Sequence, residues 1–382
     1  MKEGWKEIYF KDFIKLNRGF DLPNDKIEEG DYPVVASTST KAYHKEYKVS
    51  APCVTTGRSG SLGTVQFVNQ NSWPLNTTLY VKDFKEHDPK FVYYFLQTMN
   101  LDSFNSGAGV PTLNQNHLHF LKINIPKTTE HQQRIASILS AYDDLIEVNN
   151  ERIELLEQSA RELYKEWFVR MRFPNYQNAK FNKGIPEGWK EKNLDFFGKV
   201  ITGKTPSTEI EDYYHGDIPF IKTPDIHNNM FIKETDLYLS EKGVKSQKKC
   251  NLPKHTICVS CIGTAGAVGI TTAPVSQTNQ QINSIILNNL YNLEFLYFAI
   301  IDLKEYIELF GATGATMTNL SKGKFEKLKV IYPKKEIIKK YHDIVSPTFN
   351  QIENLQEQNQ QFTEIRNRLL PRLISGKLEV KA

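Results

Sequence analysis

Several groups of residues in this chain have types and spacings that can do chemistry. Gly198-x-x-x-x-Gly203-Lys204-Thr205 matches the phosphate-loop pattern, in which glycine amides cradle phosphates and the lysine reaches the terminal ones. That loop must leave an apolar strand and open a helix, but Lys192 to Phe197 is a poor strand and Pro206-Ser207 follows directly. The context therefore argues against a nucleotide site. Cys258-x-x-Cys261 with Cys250 and His255 nearby raises tetrahedral zinc, at irregular spacing. The string Ile257-Cys258-Val259-Ser260-Cys261-Ile262 reads instead as a buried strand, in which residues three apart face opposite ways, so core cysteines and no metal are expected.

Two glycine-rich strings, Gly57-Arg58-Ser59-Gly60-Ser61-Leu62-Gly63 and Gly263-Thr264-Ala265-Gly266-Ala267-Val268-Gly269, mark tight turns between strands. They also let a backbone approach a phosphate, and a planar guanidinium such as that of Arg58 suits both phosphate and a guanine edge. The stretch Ser37 to Lys45, with Lys41, Tyr43, His44 and Lys45, has a composition able to read bases. So does Lys222 to Asn229, with Lys222, Thr223 and His227; plain surface loops share that composition. Arg18, Ser59, Lys204, Thr205 and Thr264 complete the candidate contact set. No catalytic constellation accompanies it. The nine histidines form no His-Glu-x-x-His, and there is no Gly-x-Ser-x-Gly elbow and no Asn-Pro-Pro-Tyr or Asp-Pro-Pro-Tyr. The pattern is that of a binder, not an enzyme.

The elements that must position these residues come in two copies. Glu3-Gly4-Trp5-Lys6-Glu7 recurs letter for letter as Glu187 to Glu191, and Gly30-Asp31-Tyr32-Pro33 answers to Gly216-Asp217-Ile218-Pro219. Cys53-Val54 pairs with Cys258-Val259, Gly60 and Gly63 with Gly266 and Gly269, and Pro126 with Pro333. The order is kept, and the second copy carries an insertion between Pro219 and Cys258. Each copy opens with short apolar runs between turn residues, such as Gly63 to Val68 and Ile282 to Leu287, which are strand signals, followed by a helix near Pro89 to Met99 or Leu293 to Phe310.

Each copy ends on a different period. Leu139, Tyr142, Ile146, Asn149, Ile153, Leu156, Ala160, Leu163 and Trp167 step by three and four, a heptad seam on one long helix. Ile338, Tyr341, Val345, Thr348, Ile352, Leu355, Asn359, Phe362, Arg366 and Leu369 keep the same spacing, and Pro347 is expected to kink or restart that second helix. Asn149 and Asn359 sit where apolar residues would be more stabilising; either they set register or they are solvated positions. Helices of roughly 38 residues at ~1.5 Å rise would each span about 55 Å. The expected fold is α+β: two α/β globular domains at 1–127 and 173–333 and two long helices at 128–172 and 334–382, packed antiparallel as a coiled-coil spacer with pseudo-two-fold symmetry.

With 40% hydrophobic residues the chain can build packed cores. No run approaches the ~18 apolar residues of a membrane span, and charges between Met1 and Phe10 do not suit a signal peptide, so a cytoplasmic location is expected. Forty-eight basic against 44 acidic residues leave +4, which permits a polyanionic partner without demanding one.

Taken together these residues resemble the specificity subunit of type I restriction-modification enzymes, over essentially the whole chain. Glu187-Gly188-Trp189-Lys190 with Gly203-Lys204-Thr205-Pro206 looks like that family's opening of a target recognition domain, and Arg58-Ser59-Gly60-Ser61-Leu62-Gly63 like its central glycine motif. Pro126 with Glu130 to Ile135 resembles the entry into its spacer helix, and Tyr164 to Val169 and Leu369 to Leu378 resemble the two helix ends. Lys335 to Lys340 departs from the pattern by lacking its Gln. The resemblance implies that each globular domain reads half of a gapped, asymmetric sequence in double-stranded DNA. It also implies that the helices set the gap and hold two methyltransferase subunits, and that restriction subunits join. S-adenosylmethionine and ATP with magnesium would then be cofactors of those partners, with none in this chain. The other reading is a non-catalytic scaffold whose two end domains bind proteins or glycans.

Overall fold

The computed structural model describes residues 3–107, 109–227, 229–263, 265–311 and 320–380. The chain forms two compact units, residues 1–147 with 360–382 and residues 148–359. In chain order the first unit contributes β1 (Trp5–Tyr9), α1 (Phe10–Phe13), β2 (Lys15–Arg18), β3 (Tyr32–Val35), β4 (Thr40–His44), β5 (Cys53–Gly57), β6 (Val65–Val68) and β7 (Trp73–Pro74). β8 (Thr78–Asp83), α2 (Pro89–Gln97), α3 (Gln115–His119) and β9 (Lys122–Pro126) lead into the long α4 (Thr129–Tyr164). The sheets have strand orders β2-β8-β5-β6, β4-β3-β7 and β1-β9. Phe10, Phe13, Phe91 and Leu139, each fully buried, centre one core with Leu370, Leu373 and Ile374 of the C-terminal helix. α2 begins where it does because Pro89 suits a first helical turn and the Asp88 carboxylate accepts the Phe91 amide at 2.8 Å.

The second unit repeats this plan. After the small hairpin β10 (Phe181–Asn182) and β11 (Ile185–Pro186) come β12 (Lys190–Asn193), β13 (Gly198–Thr202), β14 (Tyr214–Ile221), α5 (Thr223–Ile226), β15 (Phe231–Ile232), β16 (Tyr238–Leu239) and α6 (Glu241–Ser246). β17 (Ile257–Ser260), β18 (Val268–Thr271), β19 (Gln277–Thr278) and β20 (Ile282–Leu287) complete its larger sheets. α7 (Leu293–Asp302), α8 (Lys304–Gly311), α9 (Lys322–Glu326), β21 (Lys329–Tyr332) and α10 (Lys335–Ile374) follow. Its strand orders are β13-β20-β17-β18-β15, β16-β14-β19 and β12-β21, the first unit's three sheets with β15 added at one edge. The expected insertion is thus seen to fall in two pieces, one holding α5 and β15 and one holding α6, separated by β16.

The pairing of the strands corrects the glycine correspondence. Gly60 and Gly63 turn between β5 and β6 with φ of 83° each, and the turn between β17 and β18 uses Gly263 at 76° and Gly266 at 84°. Gly269 lies inside β18 opposite Cys258. Gly60 and Gly63 therefore answer to Gly263 and Gly266. By the same register Arg58, whose carbonyl accepts from Leu113 N at 2.8 Å, answers to Cys261, whose carbonyl accepts from Leu320 N at 3.0 Å.

α4 runs from Thr129 and ends in a π-helical turn, Lys165–Val169, matching the expected seam. α10 is one continuous helix through Pro347, contrary to the expected kink or restart. The proline is exposed, while Tyr341, Val345, Phe349 and Ile352 around it are at most 2% exposed, so apolar burial offsets the missing backbone bond. Within each unit the two helices run antiparallel. In the first, the Tyr142 and Phe362 rings lie 6.2 Å apart and Asp143 pairs with Arg366. In the second, Tyr341 Oη donates to Ala160 O at 3.2 Å. The buried Asn149 donates from Nδ2 to Asn359 Oδ1 at 3.0 Å, and Asn359 donates to Asn150 at 2.8 Å. The seam thus brings its two asparagines together. Asn149→Leu alone is expected to cost about 1 kcal/mol by taking away the donor to Asn359 Oδ1, whereas the double change with Asn359→Leu should be near neutral in thermal unfolding. Equal losses in single and double variants would show that the pair does not act as a unit.

Glu353 of α10 fixes the second unit's sheet edge to its helix, with Lys254 Nζ at 2.9 Å and Lys233 Nζ at 3.3 Å. Burial pushes its carboxyl up, but the two lysines outweigh that and hold it below the ordinary range.

Candidate nucleic-acid interface

In the first unit the structure gathers candidates that are far apart in sequence. The glycine turn after β5 is tied by Arg58 N and Ser59 N, which donate to Thr77 O at 2.8 and 3.1 Å. Ser37, in the turn into β4, donates from Oγ to Ser59 O at 3.2 Å and to Thr77 O at 2.9 Å. Arg58 Nη1 reaches Asn76 O at 3.3 Å, Asn76 Nδ2 donates to Asp21 Oδ1, and Arg18 Nη2 lies 3.5 Å from the same carboxylate. Arg18, Arg58 and Ser59 thus share one surface with Ser37, Asp21 and Asn76. The last two carry no sequence motif, and only the fold shows them.

β4 supplies a second strip. Strand alternation puts Lys41, Tyr43 and Lys45 on one face, and Tyr43 is 53% exposed. Lys41 Nζ donates to Asn24 at 2.6 Å. Lys45 Nζ sits 2.7 Å from Glu28 and, by hydrogen bond and charge, holds that exposed carboxyl below its usual range. Exposed pairs of this kind exchange readily for a phosphate. His44 corrects its sequence expectation: it points inward, is 4% exposed, packs edge-on to Trp73 at 5.2 Å and has Nδ1 3.0 Å from the Glu28 amide. It offers no free edge to a base.

In the second unit Lys204 is exposed, and Thr205 Oγ1 donates to Gln280 Oε1 at 2.8 Å. Lys222 is half-buried with Nζ 3.9 Å from Asp236, and His227 is half-buried just after α5. Thr223 is 7% exposed and donates to Gln281 at 3.3 Å, which makes it a support and not a surface contact. Thr264 lies outside the described residues, as does Asn228. Sequence reading missed Gln280 and Tyr238. Tyr238 pairs with Pro219 on β14 as Tyr43 pairs with Pro33 on β3, a match that only strand register reveals.

The phosphate-loop match dissolves structurally. The strand β13 lies between Gly198 and Gly203, where the loop should be, and the next element after Thr205 is a 3-10 turn at Glu211. Gly203 is there because its chain crosses another backbone: a Cβ would lie 2.2 Å from Asn279 O. Cys258 and Cys261 are core residues, and Cys250 is half-buried. Burial pushes the Cys258 thiol up to about 12 and that of Cys261 to about 11, and they accept from Ser284 Oγ at 3.4 Å and Asn283 Nδ2 at 3.3 Å. Neutral buried thiols of this kind are inert.

The helix-seam candidates Leu139, Asn149, Trp167, Ile352 and Leu355 are buried, and Tyr142, Ile146, Ile153, Leu156, Leu163, Asn359, Phe362 and Leu369 are partly so. The seam is thus consumed within the chain. Apolar residues left outward on the long helices include Leu145 and Ile365 in the first unit, and Val148, Leu155, Val169 and Ile344 in the second, each 41–64% exposed.

Residues 2–158 and 186–364 each match the family model described as the type I restriction modification DNA specificity domain. The chain is 32% identical over 329 residues to the type I restriction enzyme HindI specificity subunit of Haemophilus influenzae, covering 70% of this chain and 71% of that one. It is 30% identical over 308 residues to the MjaIX specificity subunit of Methanocaldococcus jannaschii, covering 76% and 69%. Its fold is similar to the crystal structure of a type I restriction-modification S subunit from M. genitalium, with a TM-score of 0.63, 19% identity and coverage of 99% and 97%. With two matched specificity domains on two topologically equivalent units, the chain belongs to the family of type I restriction-modification DNA specificity subunits.

Proposed function

We propose that the two units each read one half of a gapped, asymmetric site in double-stranded DNA, with recognition domains at 1–127 and 173–333. The long helices would set the gap and dock two methyltransferase subunits. The observation that carries this is one strand topology built twice with unlike side chains at equivalent places, the exposed Arg18 and half-buried Arg58 in one unit against the half-buried Thr202 and buried Cys261 in the other. Two unlike readers need two unlike half-sites, and readers on one face of B-DNA are served by half-sites about one turn, ~34 Å, apart. With the seam closed within the chain, the outward Val148, Leu155 and Ile344, each exposed, would offer apolar contacts to the methyltransferase subunits. Those partners would bring S-adenosylmethionine, and restriction subunits would bring ATP and magnesium. This chain would act in the cytoplasm as the non-catalytic component; among its described residues no helix is long and apolar enough to cross a membrane.

Binding to a cognate duplex tests this. Affinity should fall steeply between low and moderate salt as counterions are released, and Arg58→Ala should weaken specific binding by about 1–3 kcal/mol. An affinity insensitive to salt would favour a scaffold for proteins or glycans, and unchanged cognate affinity in the variant would remove Arg58 from the interface.

A further inference from the structure

The same backbone crossing occurs in both units, and each is topped by a different polar pair. After β2, Gly19 N donates to Thr78 O at 3.0 Å and Phe20 N to Pro74 O at 2.8 Å. After β13, Gly203 N donates to Ile282 O at 3.1 Å and Lys204 N to Thr278 O at 2.9 Å. At either glycine a Cβ would come within 2.2 Å of a carbonyl oxygen, Leu75 O in one unit and Asn279 O in the other. Both crossings are therefore close and rigid. Two residues beyond each glycine, a side chain bridges to the loop that follows β7 or β19: Asp21 to Asn76, and Thr205 to Gln280.

Building on the DNA-reading proposal, we infer that Asp21–Asn76 and Thr205–Gln280 are equivalent base-reading positions of the two half-site readers. The crossings are already held by two backbone bonds each, so the bridging side chains are not needed to close them. They reach solvent: the Asp21 side chain is 71% exposed and Gln280 is exposed, with Asn76 and Thr205 half-buried beside them. A bridge restricts each amide to few rotamers, which lowers the cost of ordering it on a target. Asn and Gln amides pair with the adenine major-groove edge, and arginine with that of guanine. Arg18 and Arg58 flank the first pair. At the corresponding places of the second stand Thr202, bonded to Asn283 at 2.6 Å, and the buried Cys261. The first reader is thus equipped for a guanine beside its amide contact, and the second reads at this place with amide and hydroxyl alone.

Selection of random duplexes by the full-length chain, with Asn76→Ala and Gln280→Ala beside the unchanged protein, tests the assignment, and thermal unfolding of all three confirms that they are folded. Asn76→Ala should relax the preference at one position of one half-site and lower affinity there about ten-fold or more, leaving the other half intact; Gln280→Ala should do the same in the opposite half. Both variants selecting the unchanged sequence with unchanged affinity overturns the assignment. So does an equal loss in both halves with lowered thermal stability, which marks a structural staple. An unchanged protein that selects no bipartite sequence overturns the DNA-reading proposal itself, and this inference with it.

Discussion

Ile352→Asp is expected to abolish the folded second unit. The side chain is fully buried on α10, in one core with Ile338, Tyr341, Val345 and Phe349, and Ile153 and Leu156 of α4 pack against that core. The substitution forfeits about 1.5–3 kcal/mol of apolar burial, and a carboxylate left unpaired there costs several more. Against the roughly 5–15 kcal/mol that holds a domain together, that sum is decisive. Circular dichroism should show no cooperative transition for this unit. Ile344→Asp, next to the buried Val345 but itself 53% exposed, should change stability by no more than about 0.5 kcal/mol. An Ile352→Asp protein melting within a few degrees of the original would show that the seam faces elsewhere.

The second large effect falls on the glycine of the apparent phosphate loop. Gly203→Ala should destabilise the protein by about 3 kcal/mol or more, because the new methyl would meet Asn279 O and Thr278 Oγ1 at 2.2 Å and neither can retreat without moving the crossing. Lys204→Ala, on an exposed side chain, should leave stability nearly unchanged, and neither protein should be stabilised by ATP. A nucleotide site would give the reverse: ATP would raise the melting temperature, and the lysine variant would lose that response. Thermal unfolding with and without nucleotide separates the two.

What the sequence showed and what it hid follow from the range of the interactions involved. The heptad seams were legible from Leu139 to Trp167 because helical period is local, and the two seam asparagines stood out as exceptions to it. Pro347 misled because a local rule predicts a break that distant burial of Val345 and Phe349 prevents. The glycine strings were found, but pairing Gly60 with Gly266 ignored the hairpin, whose positive φ angles fall on Gly263 and Gly266. His44 shared a strand with Lys41, Tyr43 and Lys45 but faces inward, since alternation separates odd from even positions. Asp21 and Asn76 could not be seen at all. They meet only because two strands from different parts of the chain cross, and nothing in either segment announces the other.

Mapping methylated bases in DNA from cells that carry this chain with its partner subunits, against the same cells lacking it, tests the central claim most directly. Two unlike readers in one chain predict a single asymmetric motif of two short halves with a fixed gap, methylated in the first cells and unmethylated in the second. A contiguous motif, a palindrome, or a methylation pattern indifferent to the loss of this chain would contradict it.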